Sequence, residues 1–314
     1  MKTQDILGVL GGLALFLYGM QMMSEGLQMT AGNQLESVLK HLTSHKVKAV
    51  LVGMIVTCLI QSSSAMTIML IGFINAKVMD LKRAAWVVMG ANIGTTITGQ
   101  MIALDIGMIA PVLAIVGVVM IVFLSRHVFQ CVGQITAGLG ILFMGLEFMA
   151  ISLSPLQNSP SFFQIMTSLS HPLLSIGVGA VFTAIIQSSS AALGILQTLS
   201  AKGLIPFHIG AYMIFGLNIG TCMTALLASL SGCQNAKRLT LFHILFNVCG
   251  TVLFVLICQL TPFLSWVMAL TPYNNMSQLA NLHTFFNIGT TLFFLMIDDY
   301  VIRFIEKISS RRLF

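Results

Sequence analysis

Apolar runs of about twenty residues recur along this chain from Ile6 to Ile302, interrupted only by glycine, small residues and a few polar side chains. A helix needs roughly 20 mainly apolar residues to cross the ~30 Å hydrocarbon core of a bilayer. The runs therefore predict membrane-crossing helices over about 6–25, 84–104, 108–125, 129–151, 206–231, 239–260 and 281–302, with a short apolar piece at 263–270. A membrane β-barrel would show short alternating segments separated by turns instead, so the expected fold class is an all-α integral membrane protein. Two further segments, about 47–76 and 173–201, carry a polar cluster at their centres. Each is expected to be a re-entrant helical hairpin that enters and leaves on one side, giving about seven full crossings plus two hairpins.

The polar interruptions repeat. Residues 58–65, CLIQSSSA, return 126 positions later as residues 184–191, AIIQSSSA. At the same offset Gly90, Asn92, Ile93, Gly94 and Thr95 match Gly216, Asn218, Ile219, Gly220 and Thr221. Gly12, Leu13, Gly19, Ser44, His45, Gly53 and Thr57 match Gly138, Leu139, Gly145, Ser170, His171, Gly179 and Thr183. Shared hydrophobicity does not produce a gap-free register carried by glycine and polar residues, so the chain reads as a duplication. Its units are residues 1–127, with the first hairpin, and residues 128–314, with the second hairpin and the C-terminal helices.

Composition and charge sharpen this picture. Only 8% of residues are charged and 57% are hydrophobic, against about 25% charged in soluble domains, which excludes a soluble enzyme. The net charge of +6 comes without a basic face interleaved with aromatics, so no nucleic-acid partner is expected; the basic residues sit between the apolar segments. With the C-terminus cytoplasmic and the N-terminus outside, Lys40, Lys46, Lys48, Lys77, Lys82, Arg83, Arg126, Lys237, Arg238, Arg303, Lys307, Arg311 and Arg312 fall inside, and only Lys2 and Lys202 fall outside. Cytoplasmic loops carry an excess of Lys and Arg, and treating either hairpin as a full crossing spoils this split. The first hairpin then opens to the cytoplasm and the second to the exterior, so the two repeats have inverted topology. Six cysteines without CxxC spacing read as packing residues. The N-terminal run has no small-x-small cleavage site before Glu25 and reads as a retained helix.

The repeated motifs carry the candidate chemistry. Gln61, Ser62, Ser63 and Ser64, with Gln187, Ser188, Ser189 and Ser190, place an amide and three hydroxyls in each hairpin, where hydrocarbon would leave them unsatisfied at a cost of several kcal/mol each. If a second half-helix starts at each cluster, its free N–H groups and positive dipole end form an anion site without a charged side chain. Two such tips suit a tetrahedral oxyanion such as phosphate or sulfate. No Lys or Arg lies between Ala49 and Ala76 or between His171 and Ala201, so a co-bound cation is expected to balance the anion. Around Asn92, Thr95 and Thr96, and again around Asn218 and Thr221, glycines are expected to loosen the helix. Exposed carbonyls with amide and hydroxyl oxygens then suit Na⁺, with Gln61 and Gln187 as further ligands.

Other features point less sharply to function. Glu147, matched by Gln21, is either a cation or proton ligand or an end-of-helix residue reaching the interface. His243 and Asn247 recur as His283 and Asn287 in FHILFN and LHTFFN, and are expected to bond between helices instead of ligating a metal. Asp298, Asp299 and Glu306 are expected to be solvated interface residues. The many Met and Phe residues read as packing and lipid contact.

The duplicated QSSSA with GANIGTT and GLNIGTC resembles the sodium/phosphate cotransporter family, the type II kind, over both repeats. The resemblance implies Na⁺-driven uptake of inorganic phosphate by alternating access, sodium as the coupling ion and no other cofactor. It places phosphate or sodium on Gln61–Ser64 and Gln187–Ser190, and cation sites beside Asn92, Thr95, Asn218 and Thr221. It also implies a multi-pass protein of the cell membrane, the inner membrane in a bacterium; the sequence leaves a homodimer open. Bacterial relatives often carry a PhoU-like helical domain after the transport domain, whereas Phe314 closely follows the last apolar run, so either a member without that domain or a shortened chain is expected. The same fold carrying another oxyanion, such as arsenate or sulfate, or using H⁺, is the nearest alternative, and a non-transporting phosphate sensor a further one. An enzyme is not expected: GxSxG is absent and neither serine cluster has a nearby acid–His pair.

Overall fold

The computed structural model describes residues 2–31, 39, 43, 45–104 and 106–309, and it contains helices and no strand among them. In chain order these are α1 (Thr3–Ala31), α2 (Lys46–Ile60), α3 (Ser63–Asn75), α4 (Leu81–Ile102), α5 (Ala110–Phe123), α6 (His127–Leu153) and α7 (Pro160–Ser168). They are followed by α8 (Pro172–Ile186), α9 (Ser189–Ala201), α10 (Phe207–Ser229), α11 (Gln234–Leu260), α12 (Phe263–Leu270) and α13 (Asn275–Ser309). Ser44, Lys40, Arg311 and Arg312 lie outside the described residues.

Helices α1, α6, α10 and α11 are long and apolar enough to cross a bilayer, and the number rises to six if the bent pairs α4 with α5 and α7 with α8 each count as one span. The seven-crossing expectation counted α4, α5 and α13 as three crossings. Among the described residues, however, α4 and α5 qualify only together as one bent pair, α13 is not among the qualifying helices, and the second bent pair takes in α8, half of the second QSSS segment. The 14 residues of α5 span only about 21 Å at 1.5 Å per residue, short of the hydrocarbon thickness. A short helix α7 also occupies residues that the hydropathy pattern had left unassigned. Asp298 and Asp299 part company because adjacent residues on a helix point about 100° apart. Asp299 pairs with Lys82 at the surface, as expected, but Asp298 is buried. It accepts from Trp86 Nε1 at 2.6 Å and lies 3.7 Å from Lys46 Nζ, so the solvated-interface expectation fails for it.

Glycines decide which helices approach closely. Without a bilayer-specific hydrophobic drive between helices, close packing through small residues holds membrane helices together. A Cβ at Gly12 would fall 2.7 Å from the Gly145 carbonyl, and one at Gly19 would fall 2.5 Å from the Gly138 carbonyl. Low numbers in α1 thus meet high numbers in α6, so this pair runs antiparallel. Gly53 and Gly90 seat α2 on α4, where added Cβ atoms would fall 2.2 Å from Val87 O and 1.9 Å from Val50 O. Gly179 and Gly216 seat α8 on α10, against Met213 O at 2.3 Å and Ile176 O at 2.0 Å. Four residues further on, a Cβ at Gly94 would fall 2.5 Å from Met54 O and one at Gly220 would fall 2.3 Å from Ala180 O. Moving from Gly90 to Gly94 shifts the contact from Val50 to Met54, and from Gly216 to Gly220 shifts it from Ile176 to Ala180, so both pairs run parallel.

The remaining directions follow from side-chain pairs. Helix α13 runs against α4, since Thr284 meets Gln100 while Asp298 meets Trp86. It runs with α10, since Leu279 meets Gly210 and His283 meets Asn218. Helices α4 and α10 are therefore antiparallel. Helix α3 follows α10, with Ser64 at Thr224 and Asn75 at Cys233, while α9 follows α4, with Ser190 at Thr98 and Gly194 at Ile102. Hence α2 and α3 point in opposite directions, as do α8 and α9: each QSSS segment is a helical hairpin. Phenylalanines fill the space where α11 and α13 cross, with Phe246 on Phe294 at 5.0 Å and Phe254 on Phe286 at 5.2 Å between ring centroids.

Candidate functional site

Both hairpins break by the same local geometry. Gln61 (φ 57°, ψ 20°) and Gln187 (φ 58°, ψ 19°) end α2 and α8 in the left-handed region, which non-glycine residues adopt at a cost. Each donates its backbone N–H to a threonine carbonyl at 2.7 Å, Thr57 in one and Thr183 in the other. The next residue, Ser62 or Ser188, is extended and caps the following helix, its Oγ accepting from Ala65 N at 3.1 Å or Ala191 N at 3.3 Å. A serine N-cap satisfies one of the four orphan N–H groups of a helix start. The other first-turn donors of α3 and α9 stay at the open ends, where the helix dipole is positive.

The two tips meet through α4 and α10. Thr98 Oγ1 donates to Gln61 Oε1 at 2.8 Å and itself accepts from Ser190 Oγ at 3.5 Å, linking the first tip to the second. Thr224, which lies 126 positions after Thr98, donates to Ser64 Oγ at 3.0 Å. Each hairpin's third serine thus touches the long helix of the other half. Thr98 and Thr224 were not among the residues expected from sequence, although both sit in register with the repeat.

The cation-site expectation needs one correction. Helices α4 and α10 run unbroken through Gly90–Thr96 and Gly216–Thr221, so their carbonyls stay in the helical ladder. The glycines serve close packing against the hairpins. The polar side chains still leave oxygens available: Thr95 donates to Ala91 O at 3.1 Å, Thr221 to Leu217 O at 2.9 Å and Thr96 to Ile93 O at 2.8 Å. Asn92 and Asn218 likewise give their amide N–H to Val88 O and Ile214 O, at 2.9 and 2.8 Å. With hydrogens turned to the backbone, the remaining lone pairs suit a hard cation. All five side chains are buried. His243 lies 3.4 Å from Asn92 and His283 lies 3.3 Å from Asn218, the interhelical bonding expected of them.

The tips are alike in backbone but not in surroundings. Gln61 is 6% exposed and also donates to Cys58 O, while Ser24 donates to Ile60 O at 2.6 Å. Gln187 is exposed. Position 150, equivalent to Ser24, is alanine and has no hydroxyl to offer the second tip. Glu147 is exposed on α6, beside a cavity that Lys202 also lines, and Gln21 donates to Glu25 at 2.9 Å. Neither reaches the tips through a hydrogen bond among the described residues.

Helical hairpins whose polar tips meet the long helices of the opposite half, in a chain with four to six membrane-capable helices among the described residues, mark a multi-pass membrane protein. The Na⁺/Pi-cotransporter family model matches residues 15–150 and 158–271. The chain belongs to that family, one of transporters and not of enzymes, with phosphate and sodium as the family substrates. An uncharacterized protein of Bacillus subtilis, YqeW, is 34% identical over 93% of this chain and 94% of its own length. YjbB of Escherichia coli K12, described as a putative inorganic phosphate export protein, is 28% identical over 96% of this chain and 55% of its own length; the chain spans about half of that relative. The rat sodium-dependent phosphate transport protein 2A is 32% identical over 31% of this chain and 15% of its own length. No solved structure matches.

Proposed function

We propose that this chain is a secondary transporter that carries inorganic phosphate with Na⁺ across the cell membrane, its two hairpin tips forming the anion site between inverted repeats. The observation that carries the reading is the exchange of contacts at the centre, Ser190 with Thr98 and Ser64 with Thr224. Serines 62–64 and 188–190 then donate hydroxyl and first-turn N–H hydrogens to phosphate oxygens. Gln61, Gln187, Asn92, Thr95, Thr96, Asn218 and Thr221 supply acceptor oxygens to Na⁺, which offsets the anion's charge where no Lys or Arg is present. Equivalent helices that run antiparallel, α1 with α6 and α4 with α10, support inverted topology with an axis in the membrane plane. Lys46, Lys82 and Arg83 at the base of the first hairpin and the start of α4 support a cytoplasmic base for that hairpin and an external one for the second.

Unequal tips suit a carrier caught on one side of its cycle, since repeats related by a two-fold axis exchange states when access alternates. An inward Na⁺ gradient makes such a symporter an importer. The export named for YjbB would instead need a gradient or coupling of the opposite sense. Binding tests the site before transport does: radiolabelled phosphate is titrated onto purified protein over a range of Na⁺ and again in choline. Linkage requires each ligand to raise the affinity of the other by the same factor. Phosphate affinity that rises with Na⁺ and not with choline is expected; affinity indifferent to Na⁺ would remove the proposed cation sites, and displacement by sulfate as strong as by phosphate would reassign the substrate.

A further inference from the structure

At the end where the basic residues gather, a cavity of about 500 Å³ opens between the end of α10, the start of α11 and the end of α13. That volume is in the range of small-molecule sites. Its lining joins apolar Leu226, Leu241 and Ile244 to basic Lys237 and Arg238. Leu226 and Leu230 are exposed along the flank, so the cavity is continuous with the lipid-facing surface.

Among the described residues the basic pair has no acidic partner, whereas Lys46, Lys82 and Arg83 each pair with an aspartate. Arg238 donates from Nε to Ser309 Oγ at 2.7 Å and from Nη1 to Asn235 Oδ1 at 2.8 Å. A guanidinium has five N–H groups, so three remain for an acceptor, and the two neutral partners hold its plane in place. Lys237 closes the first turn of α11 and Arg238 opens the second, and Cys233 at the N-cap makes no side-chain capping bond. Cations are disfavoured at that positive dipole end, and an anion seated there relieves both the dipole and the side chains.

From this arrangement we propose that the cavity is a binding site for an anionic phospholipid of the adjacent leaflet, its phosphate on Lys237 and Arg238 and an acyl chain along Leu226, Leu241 and Ile244. Basic pockets between membrane helices are a known way of holding anionic head groups. Here charge complementarity and an apolar lining that is open along the flank select a lipid over a free anion, which would leave Leu226, Leu241 and Ile244 uncovered. The site also touches the transport machinery, because Asn75 at the end of the first hairpin accepts from Cys233 N at 2.9 Å. A lipid that fixes the start of α11 thereby fixes the base of that hairpin.

The test uses the full chain, purified, incubated with vesicles of phosphatidylcholine and phosphatidylglycerol in equal amounts, and read by native mass spectrometry of retained lipid. Wild-type protein is expected to retain phosphatidylglycerol in preference, and Lys237→Gln/Arg238→Gln to lose that preference by about fivefold per basic residue. Leu241→Trp, which fills the apolar end, is expected to lose the lipid while keeping both charges, and it decides the matter if the double variant does not fold. Equal retention of the two lipids by wild type, or an undiminished preference in Leu241→Trp, overturns the proposal. So does displacement of the lipid by inorganic phosphate, which would assign the site to a free anion.

Discussion

Two glycines of α8, Gly177 and Gly179, differ sharply in what a side chain would meet. A Cβ at Gly177 finds nothing within 4 Å, whereas one at Gly179 falls 2.3 Å from Met213 O and 3.0 Å from Met213 C. Carbon and oxygen do not approach that closely, and the obstruction is backbone that cannot swing aside. To restore ordinary contact α8 must move about 1 Å from α10, and a gap of that size forfeits a quarter to a half of each dispersion contact. Overpacking of this kind costs about 1–3 kcal/mol. Gly177→Ala avoids that cost and gains up to about 1 kcal/mol of helix propensity. Gly179→Ala gains the same propensity, which cancels between the two single-methyl variants, so they should differ by the overpacking cost of roughly 1–3 kcal/mol, a few °C in melting temperature at about 2 °C per kcal/mol for a chain of this length. A tryptophan- or dye-monitored thermal melt of the purified variants measures this, and radiolabelled phosphate flux should fall in Gly179→Ala because the second tip is carried by α8. Equal melting temperatures for the two variants would refute the close seating of the hairpin on α10 and every direction inferred from it.

The unequal tips predict that Gln61→Ala, which removes hydrogen bonds with Thr98 and Cys58, lowers stability by about 1–3 kcal/mol. Gln187→Ala should leave the melt within about 0.5 kcal/mol, while both variants reduce phosphate flux; equal melts would contradict the asymmetry. Asp298→Ala strands Trp86 Nε1 and Lys46 and should cost about 1–3 kcal/mol, against less than about 1 kcal/mol for Asp299→Ala at the surface, again read by melting. Thr98→Val and Thr224→Val keep shape and remove the hydroxyls that join hairpins to long helices. Each should lower flux more than it lowers melting temperature, and unchanged flux in both would remove these threonines from the site.

How much of this was legible in sequence depended on what each residue reports. Hairpin ends near 47–76 and 173–201 agree with the structure within a residue or two, because hydrocarbon tolerates a polar cluster inside an apolar run only where the chain breaks or a site forms. The register of 126 paired the two tips before any geometry. The state of α4 and α10 was not legible: GANIGTT and GLNIGTC look like loosened helix, but Gly90 and Gly216 remove side chains to admit a neighbouring backbone, and that neighbour is invisible in one stretch of sequence. Likewise nothing in the adjacent Asp298 and Asp299 says which one faces Trp86. The difference between Gln61 and Gln187 was hidden for the same reason, since it rests on Ser24 and on side-chain partners far away in the chain. Thr98 and Thr224 were within reach of the repeat argument, needing only that the matched register be followed three residues past Thr95 and Thr221.

The most direct measurement is radiolabelled phosphate accumulation in proteoliposomes under an inward Na⁺ gradient, compared with an outward gradient and with none, for wild type and for Gln61→Ala/Gln187→Ala. Accumulation above equilibrium in wild type that follows the sign of the Na⁺ gradient, and its loss in the double variant with protein still folded, is the predicted result. Phosphate flux that ignores the Na⁺ gradient, or that persists undiminished without the two glutamines, would contradict sodium-coupled transport through the paired hairpin tips.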